Sequence, residues 1–329
     1  MIKKLMYVAI LFSLIGSITA CKKNKIYQGD EVILDKNLEM GIGILGVESI
    51  TDLTAIHRYF RYSGTVAENI NPIWRLMQWG TRYNYKDSGV ESVEDGYFVI
   101  RDDTKEFKVN PETGEYCLNT FTALENPEPR KFGEPWLHFA TEQRLSDMSR
   151  LDELEHVWAE LDFEITESEN LMGSNFNPEL HTALFQWVFI VRNENIDSLD
   201  YGNYIWVNIP YFDARFDFNK EDAFFDFGKE DKSDTFIYSA SSRKILDDKP
   251  VIVGQRRRVN IDLKEYIEIA LKTIQELPEN VNSQFPILLN TTLLDLRIES
   301  FYIGWEIPGT FNASATIYSN SLKYQRKVD

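Results

Sequence analysis

Three acidic residues, Glu160, Asp162 and Glu164, stand at alternate positions with Leu161 and Phe163 between them. Side chains of an extended chain alternate faces, so this spacing predicts a strand with three carboxyls on one face and apolar groups on the other. Crowded carboxyls raise one another's pKa, and one can then stay protonated as an acid beside an ionised neighbour. Such a pair suits glycoside hydrolysis, whose retaining form asks for carboxyls about 5 to 5.5 Å apart. The α-carbons of Glu160 and Glu164 would lie roughly 13 Å apart, so both side chains must lean inward to meet that demand. An acidic chain also places such triplets on plain solvated faces: Asp and Glu number 52 against 35 Lys and Arg, a net charge of −17.

The run Trp158-Ala-Glu160-Leu-Asp162-Phe-Glu164 resembles the acidic strand of the retaining β-glucanases of the lichenase and laminarinase family. The resemblance implies a concanavalin A-like jelly roll, with Glu160 as nucleophile, Glu164 as general acid/base and Asp162 tuning the pair. It covers five residues and a general pattern of strands.

Seven tryptophans supply flat faces that stack on sugar rings as readily as they fill cores. Trp187 and Trp206 sit in apolar runs and are expected inside, whereas Trp74, Trp79 and Trp136, in less regular segments, are the candidates for stacking on a glycan. Residues 304–309, Gly-Trp-Glu-Ile-Pro-Gly, read as a shaped loop between strands. Together with residues 208–213 they resemble uncharacterised bacterial lipoproteins with a lectin-like sandwich. No cofactor is expected. Asp213, Asp217 and Asp222 could offer calcium hard oxygens, though their spacing fits no EF-hand loop. His57, His138, His156 and His181 are scattered and give no zinc spacing, so no metal site is assigned. The acidic balance argues against nucleic acid as a partner.

The first 20 residues have a basic start at Lys3 and Lys4, an apolar stretch and small residues before Cys21, which is a signal-peptide pattern. Ile18-Thr-Ala-Cys21 resembles a lipobox, which implies lipidation of Cys21 and hence a palmitate-type membrane anchor. Cys117 is then the only other cysteine, so stability must come from a core instead of a disulfide. The lysines after Cys21 favour the periplasmic face of an outer membrane if the cell is Gram-negative.

The expected organisation is a signal peptide over 1–20, a tether over 21–30 and a mainly β domain over 31–329, with a smaller N-terminal β part conceivable over 31–125. Residues 96–120, 157–166, 181–191, 204–209, 293–303 and 311–317 read as strands. One amphipathic helix is predicted over 264–277, capped by Asp262 and closed by Pro278. The fold expected is an antiparallel β-sandwich with one packed helix. Three functions stay open for such an exported, lipid-anchored cell-envelope protein: glycan binding or handling without catalysis, retaining endo-β-glucanase activity, and a structural role whose partner is another envelope protein.

Overall fold

The structure, a computed structural model, describes residues 27–47, 54–226, 235–278 and 287–328. Cys21, the signal segment and most of the tether lie outside the described residues. The strands are β1 (Asp30–Glu31), β2 (Ile42–Leu45), β3 (Ile56–Phe60), β4 (Arg75–Trp79), β5 (Val90–Glu94), β6 (Tyr97–Arg101), β7 (Lys105–Asn110), β8 (Glu115–Phe121), β9 (Leu137–Arg144), β10 (Leu154–Asn170), β11 (Leu184–Asn193), β12 (Tyr204–Asp213), β13 (Asp222–Phe225), β14 (Phe236–Ser239), β15 (Arg257–Asp262), β16 (Leu296–Ile307) and β17 (Phe311–Arg326). Helices α1 (Tyr85–Ser88), α2 (Ser242–Ile245) and α3 (Leu263–Gln275) complete the α content.

The strands form the mainly β sandwich expected. One sheet runs β15-β10-β17-β8-β7-β6-β5, with β1 added on β17; the other runs β13-β14-β12-β11-β16-β9-β4-β2-β3. Pairing is antiparallel except between β2 and β4 and between β12 and β14, so the second sheet is mixed. Strands from the first 125 residues enter both sheets: β8 pairs with β17 and β4 with β9.

Alternation builds the core. On β10, Val157, Ala159, Leu161, Phe163 and Ile165 are fully buried, and they meet Phe185, Trp187, Phe189, Trp305 and Phe301 of the facing sheet in one cluster. Helix α3 packs Leu263, Tyr266, Ile267, Ala270, Leu271 and Ile274 into the same cluster. Its N-cap is Asp262, whose side chain accepts from the Lys264 amide at 3.2 Å, as its spacing predicts.

Three sequence expectations are corrected. Trp74 is wholly buried and its Nε1 donates to the Asp35 carbonyl at 2.8 Å, so it has no face to offer a sugar. Trp206 points away from the core, since the buried Ile205 and Val207 take the inward positions of β12, and its ring lies 6.0 Å from that of Tyr302 on the outer face. Residues 304–307 continue strand β16, with Trp305 inward and Glu306 outward, and the turn begins only after Ile307.

Candidate functional site

The acidic triplet occupies the outer face of the eight-stranded sheet, and the register of its neighbours decides its chemistry. Strand β15 puts Asn260 opposite Glu160 and Arg258 opposite Asp162. Ion pairs then form on the diagonal: Arg258 Nη2 lies 2.5 Å from Glu160, and Arg256 donates to Asp162 at 2.7 and 3.0 Å. A bulge between Asp162 and Phe163 leaves Tyr318 as the extra residue of β17, and its hydroxyl donates to Glu164 at 3.0 Å. The Arg256 guanidinium lies 3.8 Å from the centroid of the Tyr318 ring. The three carboxyls thus share a face as predicted, but each is committed to its own partner.

A broad cleft of about 1240 Å³ opens at one end of this face. Trp158, Glu160 and Asn260 line it, but Asp162 and Glu164 do not. The Trp158 ring is flanked by Tyr27 at 4.9 Å and His156 at 4.6 Å, and His156 Nδ1 lies 2.5 Å from Asp262.

The outer face of the nine-stranded sheet carries a second group of aromatic and polar side chains. Leu45, Met77, Ala140 and Val188 form an apolar floor, with Trp79, Ile190 and Trp206 packed against it. Glu306 stands among them. Its Oε1 accepts from the Tyr302 hydroxyl at 3.0 Å and from Gln186 Nε2 at 2.7 Å, and His138 Nε2 lies 3.7 Å from Oε2. His138 in turn lies 6.0 Å from Trp79 and stacks on Trp136 at 5.5 Å, while Arg130 covers Trp136 at 4.6 Å. Gly304 separates Tyr302 from Glu306 along β16. A Cβ there would come within 2.3 Å of the Phe139 carbonyl and 2.6 Å of the Ala140 Cβ, so only glycine lets β16 approach β9 this closely. Burial and the neighbouring Glu306 carboxylate push the Tyr302 phenol well above its ordinary value, keeping it a neutral donor.

Other carboxylates on this face are tied to arginines: Glu142 to Arg75 at 2.5 Å and Glu299 to Arg192 at 2.8 Å. Burial raises the Glu142 pKa against the pull of Arg75. Gln186 Oε1 and Asn208 Oδ1 are buried without a hydrogen-bond partner. Gln186 lies on β11, beside the Glu306 strand, and Asn208 on β12, one strand further out.

No family model matches the chain, and no curated protein sequence matches it. Solved structures similar to it include an endoglucanase from Rhodothermus marinus, at 12% identity and a TM-score of 0.37, covering 73% of this chain and 100% of that one. A family 12 xyloglucanase from Bacillus licheniformis is 9% identical with a TM-score of 0.40, covering 73% of this chain and 98% of that one. Likeness at this level assigns no activity to the chain.

The calcium candidates do not form an oxygen cage. Asp213 is buried and accepts from Arg215 at 2.7 and 2.9 Å, Thr182 at 2.7 Å and Asn219 at 2.9 Å. No group of three or more His, Cys, Asp and Glu side chains placed to hold a metal occurs among the described residues, so Asp217 and Asp222 do not join it in a site. His181 is a structural pin, bonded through Nδ1 to the Asn177 amide at 3.0 Å and through Nε2 to the Arg130 carbonyl at 2.8 Å. Burial pushes the Cys117 thiol up, away from the reactive thiolate.

Proposed function

We propose that the protein is an exported lipoprotein, anchored through Cys21, that binds glycan on the outer face of its nine-stranded sheet without cleaving it. The observation that carries the reading is the unbroken line of contacts from Trp206 through Tyr302, Glu306 and His138 to Trp79 and Trp136. Aromatic faces at both ends suit the flat faces of sugar rings. An acceptor in the middle, the Glu306 carboxylate, suits sugar hydroxyls, which are donors. The basic and apolar leader ending at Cys21 supports export and anchoring.

Non-catalytic binding is favoured because Glu306 is held by neutral donors while Glu142 and Glu299 are each neutralised by an arginine. Hydrolysis would need a free acid facing a free nucleophile or base.

Calorimetric titration with a broad polysaccharide panel tests the reading. The wild-type chain is expected to bind at least one polymer, and Trp79→Ala and Trp206→Ala each to weaken that binding about tenfold, the ~1.4 kcal/mol of one lost stacking contact. No binding across the panel, or binding untouched by both substitutions, rejects it. Palmitate labelling lost in Cys21→Ser tests the anchor separately.

A further inference from the structure

The cleft on the eight-stranded sheet lies on the opposite side of the sandwich from the Glu306 face, and its wall includes the first described residue of the chain. Tyr27 lines the cleft with its ring 4.9 Å from Trp158. Tyr27 is six positions along the chain from Cys21, with five residues between them. A fully extended chain spans at most about 3.3 to 3.6 Å per residue, so a lipidated Cys21 lies within about 20 Å of the cleft wall. The headgroup layer itself is several ångströms deep, roughly half the difference between the 40 to 45 Å bilayer and its 30 Å hydrocarbon core. A headgroup of a few sugars in the same leaflet therefore spans the remaining gap.

The lining suits such a ligand. Trp158 offers an aromatic surface beside Tyr27 and His156. Asn260 Oδ1 is buried without a hydrogen-bond partner, and Asn260 lines the cleft beside Glu160. Lys323 also lines it and pairs with no carboxylate among the described residues, which leaves a cation for a phosphate or acidic sugar.

We infer that this cleft holds the saccharide headgroup of a glycolipid in the membrane that carries the anchor, a site separate from the Glu306 face. The inference rests on the anchoring at Cys21 proposed above. Its consequence is a bridge: one face of the sandwich holds the membrane's own sugars and the other holds polymer glycan.

The test uses the full-length lipidated chain in phospholipid vesicles containing a diazirine-labelled diglycosyl diacylglycerol, with photo-adducts mapped by mass spectrometry. Adducts are expected at residues around Trp158, Asn260 and Lys323, and both Trp158→Ala and the surface change Lys323→Glu should reduce them about tenfold. A second variant carries some twenty prolines after Lys25, lifting the cleft by roughly 60 Å at ~3.1 Å per residue. It should still take palmitate and lose the adducts. Cleft adducts that persist in the spacer variant, or adducts that ignore both substitutions, overturn the inference while leaving the anchor intact. Absence of palmitate at Cys21 in the wild-type chain defeats the anchor reading itself, and this inference with it.

Discussion

Arg256 holds Asp162 in a two-point grip, Nε at 2.7 Å from Oδ1 and Nη2 at 3.0 Å from Oδ2. The central carboxyl of the acidic triplet is thus bound as a planar fork binds a carboxylate, while Glu160 takes a single contact from Arg258. Each carboxylate is thereby occupied by a cation of the protein instead of facing a substrate. Two of the three carboxyls, Glu160 and Asp162, are thus ion-paired to arginines in or beside β15, and Glu164 is held by the Tyr318 hydroxyl of β17.

Glu160→Gln should then cost less than about 1 kcal/mol of stability, the range of an exposed pair, because Arg258 is 63% exposed. It should leave binding to polymer glycan unchanged. Reducing ends released from a β-glucan by the wild-type chain and abolished in Glu160→Gln would restore the glucanase reading.

Glu306 is expected to act in both stability and binding. Glu306→Ala strips the acceptor from the Tyr302 hydroxyl and the Gln186 amide, each 4% exposed or less, and an unpaired buried donor costs about 1 to 3 kcal/mol. Glu306→Gln can keep a carbonyl oxygen at the Oε1 position, which accepts from both donors, and should lose less stability, yet still weaken glycan binding about tenfold. Urea unfolding and calorimetry on the two variants separate the effects. Wild-type affinity in Glu306→Gln would remove Glu306 from the binding surface.

Local patterns foretold much of this architecture and little of this site. Strands β6, β7 and β8, helix α3 and the shared face of Glu160, Asp162 and Glu164 all follow from periodicity and turn chemistry within a few residues. Parity along a strand also carried information about the tryptophans. Trp74 and Trp79 are five residues apart and must face opposite ways on one strand, and Trp206 alternates with buried Ile205 and Val207. The group around Glu306 has no such local trace. Tyr302 shares its strand and face with Glu306, but Gln186 and His138 meet it only because β16 lies between β11 and β9 in a register that sets Gln186 opposite Gly304 and His138 opposite Glu306. Arg256 reaches Asp162 across 94 positions of sequence for the same reason.

Asp213 gives the fold a defined response to acid. Burial alone would raise its pKa, but hydrogen bonds from Arg215 and Thr182 outweigh burial and hold it below its ordinary value. A carboxyl whose folded pKa is depressed contributes stability that is complete above the unfolded value of about 3.9 and is lost as pH falls through the folded value. Asp213→Asn should therefore cost roughly 2 to 3 kcal/mol at neutral pH, the scale of charge-assisted bonds. Its stability should also fall less steeply than the wild type's below about pH 4. Equal steepness of the two curves in that acid range would show that Asp213 does not govern the response.

Lys105 links the two sheets near the Glu306 face. Its side chain is wholly buried, and the ammonium donates to Asp102 at 2.6 Å, the Tyr83 carbonyl at 2.6 Å and Thr81 Oγ1 at 3.2 Å, so all three protons are used. It also lies 4.7 Å from the centroid of the Tyr85 ring. Burial lowers its pKa and Asp102 opposes that shift. Thr81 and Tyr83 follow directly on Trp79 at the end of β4, so the lysine of one sheet fixes the segment that carries an aromatic of the other. Lys105→Met leaves Asp102, 1% exposed, as a buried charge without its cation, at a cost of roughly 3 to 5 kcal/mol. Lys105→Met combined with Asp102→Asn removes the stranded charge and should recover part of that loss, because the two residues interact directly. Denaturant unfolding of the single and double variants measures the coupling. If the double variant falls by the sum of the single losses, the pair does not act as a unit and the positioning of Trp79 must come from the β4 and β9 pairing alone.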